Sequence, residues 1–193
     1  MPAASPHKIL EMSLDESPES SAAEINRFTA EDVASILRER GWLAGELSPA
    51  QAVWCEHAAS LLGPHAAERS ALAELLGLVF HYDAREILAR VDSHAVLSRY
   101  GAREVLRELA LLLLEGGSVT SDRFKEIVNH LKTKLAIRGR ELFHPIRLAL
   151  AGRAGEGELD RVILLLDEAA ELSFAPPVKS ARARILEFCA ALD

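Results

Sequence analysis

The side chains in this sequence whose types and spacing could do chemistry are cations. Between residues 121 and 153, Arg123, Lys125, Lys132, Lys134, Arg138, Arg140, Arg147 and Arg153 face only Asp122, Glu126 and Glu141. Over residues 154–172 the balance reverses, with Glu156, Glu158, Asp160, Asp167, Glu168 and Glu171 against Arg161 alone. A basic patch beside an acidic one follows. Clustered Lys and Arg suit phosphate binding, because they release the counterions condensed on a nucleic-acid backbone. The same charges also suit a solvated helix face, ion-paired to the acidic stretch. Arg147 has the sharper candidacy: its planar fork can bond bidentately to a guanine edge or a phosphate, or stack on an unpaired base. Its structural alternative is a pair with Glu156 or Glu158. Phe143 is either a platform for a base or a core residue between Leu142 and Pro145. Near the other end of the chain, Lys179, Arg182 and Arg184 extend the basic surface or form a solvated face.

Other constellations are thinner. Cys55, His57 and His65 lack a four-ligand metal spacing, and the chain proximity of Ser118, Ser121 and His130 defines no catalytic triad. No glycine-rich phosphate loop occurs. These observations lead us to expect no catalytic residue, no metal and no cofactor. Two cysteines, Cys55 and Cys189, are no disulfide framework, and the opening residues lack a basic start followed by an apolar run. With no stretch near the ~20 apolar residues of a membrane helix, the expectation is a reduced, cytoplasmic protein without a membrane partner.

The elements that must position the cations can be read from periodicity. The chain has 193 residues, 49% of them hydrophobic, 26% charged and 5% aromatic, and a formal net charge of -7. Residues 13–23 are rich in serine and acid and poor in large apolar side chains, which predicts a flexible tail over residues 1–24. Helix signals then follow one another. Thr29 caps a segment ended by Gly41, Ser48-Pro49 opens a second, and further segments span 65–80, 83–91 and 93–100. Residues 102–115 are apolar nearly all round in their second half, implying a helix at the centre of a bundle. In 121–135, Phe124, Ile127, Val128, Leu131 and Leu135 form one helical face capped by Thr120 or Ser121. Pro145 reads as the start of a helix at Ile146. Trp42 and Trp54 are expected between the first two helices, and a closing helix over 179–192 is expected to turn Ile185, Leu186 and Phe188 inward. Strand signals are weak and no repeat is present, so the predicted fold is all-α, a bundle of about nine helices. We divide it into helical subdomains at 25–115 and 116–193.

Residues 134–152, KLAIRGRELFHPIRLALAG, resemble a signature of the C-terminal, anticodon-binding region of bacterial-type glutamyl-tRNA synthetases. The matching positions are Gly139, Arg140, Leu142, Phe143, Pro145, Ile146, Arg147, Ala149, Leu150 and Gly152, and a looser likeness covers 70–172. The resemblance implies a helical anticodon-binding-like fold and a tRNA partner, tRNA-Glu first among candidates. It makes Arg147 the anticodon-reading residue, with Arg140, Arg138, Lys134, Lys132, His144 and Leu159 completing the contact surface. The chain departs from the family where Gly155, Glu156, Gly157 and Glu158 replace a Gly-Pro-Glu run, and where Ala151 replaces threonine. Neither the His-Ile-Gly-His type nor the Lys-Met-Ser-Lys-Ser type signature of the catalytic domain is present, so this chain alone is not expected to activate an amino acid. The expectation is a free-standing tRNA-binding module, acting in trans with a separate synthetase catalytic protein or presenting tRNA to another enzyme. The alternative is a protein-interaction module of the same descent that no longer reads tRNA. A fragment of a longer ligase is disfavoured by Met1 and the acidic leader.

Overall fold

A computed structural model describes residues 27–192, and the predicted tail at 1–24 lies outside them. Every regular element among the described residues is helical. Ala30–Glu39 (α1) starts from a capping box in which Thr29 and Asp32 satisfy each other's backbone amides. Pro49–Leu62 (α2) repeats the device with Ser48 and Gln51, its proline at the first position where no amide donor is missed. A 3-10 turn at Gly63–His65 delays Arg69–Phe80 (α3), which therefore begins later than periodicity implies. Ala84–Leu88 (α4), Val91–Leu97 (α5), Ala102–Glu115 (α6), Ser121–Leu135 (α7), Arg140–Ala151 (α8), Glu158–Ala170 (α9) and Ala181–Leu192 (α10) complete the all-α fold, with nine of the ten helices at least seven residues long.

The centre of the bundle is α8 and α9, not α6. Leu159, Val162, Ile163, Leu164, Leu165, Leu166 and Ala169 of α9 are buried, and so is α8 from Pro145 to Ala151. α9 packs against α2, α3 and α8, while α8 also meets α5, α6 and α10. α6 is amphipathic instead. It buries Val105, Leu106, Leu109 and Leu113 but leaves Leu111 47% exposed, because α7, α8 and α10 do not enclose its far side. One apolar core runs through elements on both sides of residue 115.

Three further expectations change. α8 starts at Arg140 rather than Ile146, so Pro145 lies inside it. The cost is confined to the helix start, where the carbonyl of Glu141 loses its i+4 donor. Trp42 and Trp54 do not simply pack between α1 and α2. Trp42 stacks on Phe80 at 4.7 Å, and Trp54 meets the edges of Phe80 and Phe174 at 5.9 and 5.1 Å while donating from Nε1 to the carbonyl of Leu165. In α10, Ile185 and Phe188 point inward as predicted but Leu186 points out, and Arg184 is completely buried rather than part of a basic surface.

Arg184 joins two helix ends. Its guanidinium donates to the carbonyls of Leu78 and Val79 in the last turn of α3, of Leu150 in the last turn of α8, and of Lys179. Tyr82 adds a hydroxyl bond to the carbonyl of Ala149 and places its ring 4.6 Å from the guanidinium. Last-turn carbonyls have no partner within their own helix, and their partial negative charge favours a cation. Burial pulls the pKa of Arg184 down to about 10, which leaves it charged at neutral pH.

Candidate nucleic-acid interface

The C-terminal turn of α7, the connection 136–139 and the first turns of α8 form a groove of about 850 Å³ lined by Lys132, Ala136, Arg138, Gly139 and Phe143, among others. The groove owes its shape to two backbone conformations. Ala136 ends α7 in the left-handed region (φ 55°, ψ 23°), and Gly139 turns the chain into α8 at φ 60°, ψ -140°. A left-handed alanine pays a Cβ penalty that glycine escapes. Ala136→Gly should therefore raise unfolding free energy by about 0.5–1 kcal/mol, read by urea denaturation; an unchanged or lower midpoint would contradict the assignment.

Lys132 and Arg138 make no ion pair among the described residues. The Lys132 ammonium sits 5.5 Å from the Phe143 ring centre and the Arg147 guanidinium 4.8 Å from it. Phe143 is thus a half-buried ring at the groove wall, holding cations by its π face. Arg140 is exposed and lies 3.7 Å from Glu156. His144 Nδ1 accepts from Arg99 Nη1 at 3.0 Å, which leaves the ring proton on Nε2. Burial, then the charges of Arg99, Arg147 and Arg140, lower the His144 pKa, so the ring is neutral at physiological pH.

The remaining sequence candidates are held by other groups or buried. Lys134 bonds Glu108 at 2.6 Å beside His130 at 3.0 Å, and that lysine bond is the main reason the Glu108 pKa is lowered. Arg147 is only 8% exposed. Its Nε and Nη2 fork onto Asp160 at 2.7 and 2.8 Å, and Nη1 donates to the carbonyl of Gly155 at 2.6 Å. The structural alternative for Arg147 is therefore the arrangement present, with Asp160 as its partner in place of Glu156 or Glu158. Asp160 sits in the first turn of α9 and faces α8, whereas Glu156 is in the solvent-facing loop. Leu159 is 2% exposed, packed beneath Gly155, and offers no surface to a nucleic acid.

Sequence reasoning missed Arg99 and Arg90. Arg90 donates to the carbonyl of Gly152, and both arginines come from the far-off α4–α6 region to flank α8, so no local signal marks them. Of the residues whose spacing did not suit a metal, Cys55 faces the core, where burial pushes its thiol up to about 11, and His57 Nδ1 lies 2.9 Å from Glu168. No helix among the described residues is long and apolar enough to cross a membrane.

The chain is 36% identical over 77 residues to "Glutamate--tRNA ligase 2" of Syntrophus aciditrophicus, a match covering 40% of this chain and 16% of that protein. It is 30% identical over 130 residues to "Glutamate--tRNA ligase" of Bacillus licheniformis and 29% identical over 130 residues to that of Bacillus subtilis, in each case 67% of this chain and 26% of the relative. The chain thus spans about a quarter, or less, of the length of these relatives. No solved structure matches significantly. The family described as "Anticodon binding domain" matches residues 19–170, which is most of the sequence and includes the whole groove, and the chain therefore belongs to that family.

Proposed function

We propose that this protein binds tRNA through the α7–α8 groove, with Lys132, Arg138 and Arg140 meeting phosphates and His144 donating from Nε2. The observation that carries the reading is the pair of cations without carboxylate partners, Lys132 and Arg138, lining a concave surface in a member of an anticodon-binding family. In this reading the tRNA is tRNA-Glu, as the names of the relatives suggest, and the module acts in trans with a separate catalytic protein. Lys134 adds a positive charge at the margin while held by Glu108.

The test is equilibrium binding of tRNA-Glu and a tRNA with an unrelated anticodon at several salt concentrations. Neutralising about three phosphates in a single-stranded loop predicts a log–log salt slope of about -2. Arg138→Ala should weaken both tRNAs several-fold and make the slope shallower by about 0.7, one phosphate's worth. Affinity that stays in the non-specific range and is unchanged in the variant would overturn the proposal. The second reading, a protein-interaction module that no longer reads tRNA, is favoured by the commitment of Arg147 to Asp160. It predicts no difference between tRNAs and retention of a protein partner by the Arg138→Ala variant.

A further inference from the structure

We infer that Tyr100 is a stacking platform for an unpaired RNA base at the edge of the α7–α8 groove, an assignment that rests on the tRNA-binding reading above. Tyr100 is 87% exposed, the most exposed of the large hydrophobic residues described. Among the described residues its ring touches no other ring or cation and its hydroxyl has no hydrogen-bond partner.

Its two neighbours in sequence fix where it sits. Arg99 holds His144 of α8 through the 3.0 Å contact. Gly101, at φ 77°, approaches Ile137 so closely that an added Cβ would stand 2.2 Å from the Ile137 side chain. Ile137 directly precedes Arg138. The α5–α6 turn is thus held at two points, onto the start of α8 and onto the α7–α8 connection, and Tyr100 lies in the chain between those two points.

An exposed tyrosine by itself is ordinary. Here the residues on either side of it meet Ile137 and His144, which bracket the segment carrying Arg138 and Arg140, and so the turn and that segment bring together the two parts that single-stranded nucleic-acid sites combine, a positive track for the backbone and an aromatic face for a base. Phe143, the groove's own aromatic, is half-buried and already attended by Lys132 and Arg147. Tyr100 is the ring left open to a ligand.

The test uses the full chain and an anticodon stem–loop RNA. Tyr100→Ala should weaken binding about 5- to 150-fold, the range for loss of one base–aromatic stack, while Tyr100→Phe and Tyr100→Trp stay near wild type. The salt slope should be unchanged in Tyr100→Ala, because a stack neutralises no phosphate. RNA should also quench the added emission of Tyr100→Trp beyond any change in wild type, whose Trp42 and Trp54 lie in the aromatic cluster. Salt-sensitive wild-type binding with full affinity in Tyr100→Ala would overturn this inference and leave the tRNA reading intact. Loss in Tyr100→Phe equal to that in Tyr100→Ala would overturn stacking in favour of a hydroxyl bond. Absence of wild-type binding would overturn both readings.

Discussion

Arg184→Met should lower the free energy of unfolding by about 3–5 kcal/mol, because methionine fills the volume but leaves the carbonyls of Leu78, Val79, Leu150 and Lys179 without the donors they have now. These acceptors belong to the backbone and cannot be removed along with the charge. That separates this site from a buried ion pair, where an apolar replacement of both partners is often tolerated. For a chain of this size the loss corresponds to a fall in Tm of about 6–20 °C. Arg184→Lys should recover less than half of it, since one ammonium cannot span the ends of α3 and α8 as the five-donor fork does. The control is Arg182→Met, at an exposed position on the same helix, which should shift stability by no more than about 0.5 kcal/mol. Urea denaturation of the three variants decides the matter. An Arg184→Met protein as stable as wild type would mean that water replaces the guanidinium at both helix ends.

The second large effect is expected at Arg147. Removing it strands the Asp160 carboxylate, whose side chain is 21% exposed, and frees the carbonyl of Gly155 in the loop between α8 and α9. Arg147→Ala should therefore destabilise by about 2–4 kcal/mol, and Asp160→Asn by a comparable amount, since each leaves the other's charge poorly compensated. The double variant should be clearly less destabilised than the sum of the single ones, with a coupling of about 1–3 kcal/mol. Arg147→Lys should rescue little, because a point charge cannot reproduce the two parallel bonds. Hydrogen exchange adds a local readout: amides of residues 152–157 should lose protection in Arg147→Ala before the rest of the chain does. These outcomes make Arg147 the anchor of the loop that follows α8. An Arg147→Ala protein of wild-type stability that has lost its preference between tRNAs would instead make it the reader of a base.

The same residues show how much the sequence contains. The cap of α1 and the start of α2 were legible, and that of α7 was narrowed to Thr120 or Ser121, of which Thr120 is the cap, because a cap bonds to an amide only two or three residues away. Residues 102–115 and 121–135 were bounded correctly because Gly101, Gly116 and Thr120 punctuate them. The start of α8 was not. Pro145 is a strong local signal for a first turn, yet the packing of Leu142 against the core holds the helix back to Arg140, and tertiary burial outweighs one missing hydrogen bond. The orientation of α6 failed for a related reason. Four consecutive leucines say that apolar surface is available, but how many sides are covered depends on neighbours distant in the chain.

For the candidate interface, the sequence by itself determined composition: a basic stretch beside an acidic one, carried on helices, in a run of residues that marks the family. Only the tertiary structure decided which cations face outward. Arg138 and Arg147 are equally basic and nine positions apart, and nothing local separates them. Arg138 lies in the connection 136–139 and makes no ion pair among the described residues. Arg147 points from α8 at a carboxylate on α9, where a largely buried pair with bidentate geometry outcompetes hydration. The buried Arg184 and the exposed Tyr100 obey the same rule, because a side chain's solvent and partners are set by segments up to about a hundred residues away. Periodicity and spacing report the helix a residue sits on; the neighbours across the bundle decide what its charge or ring is free to touch.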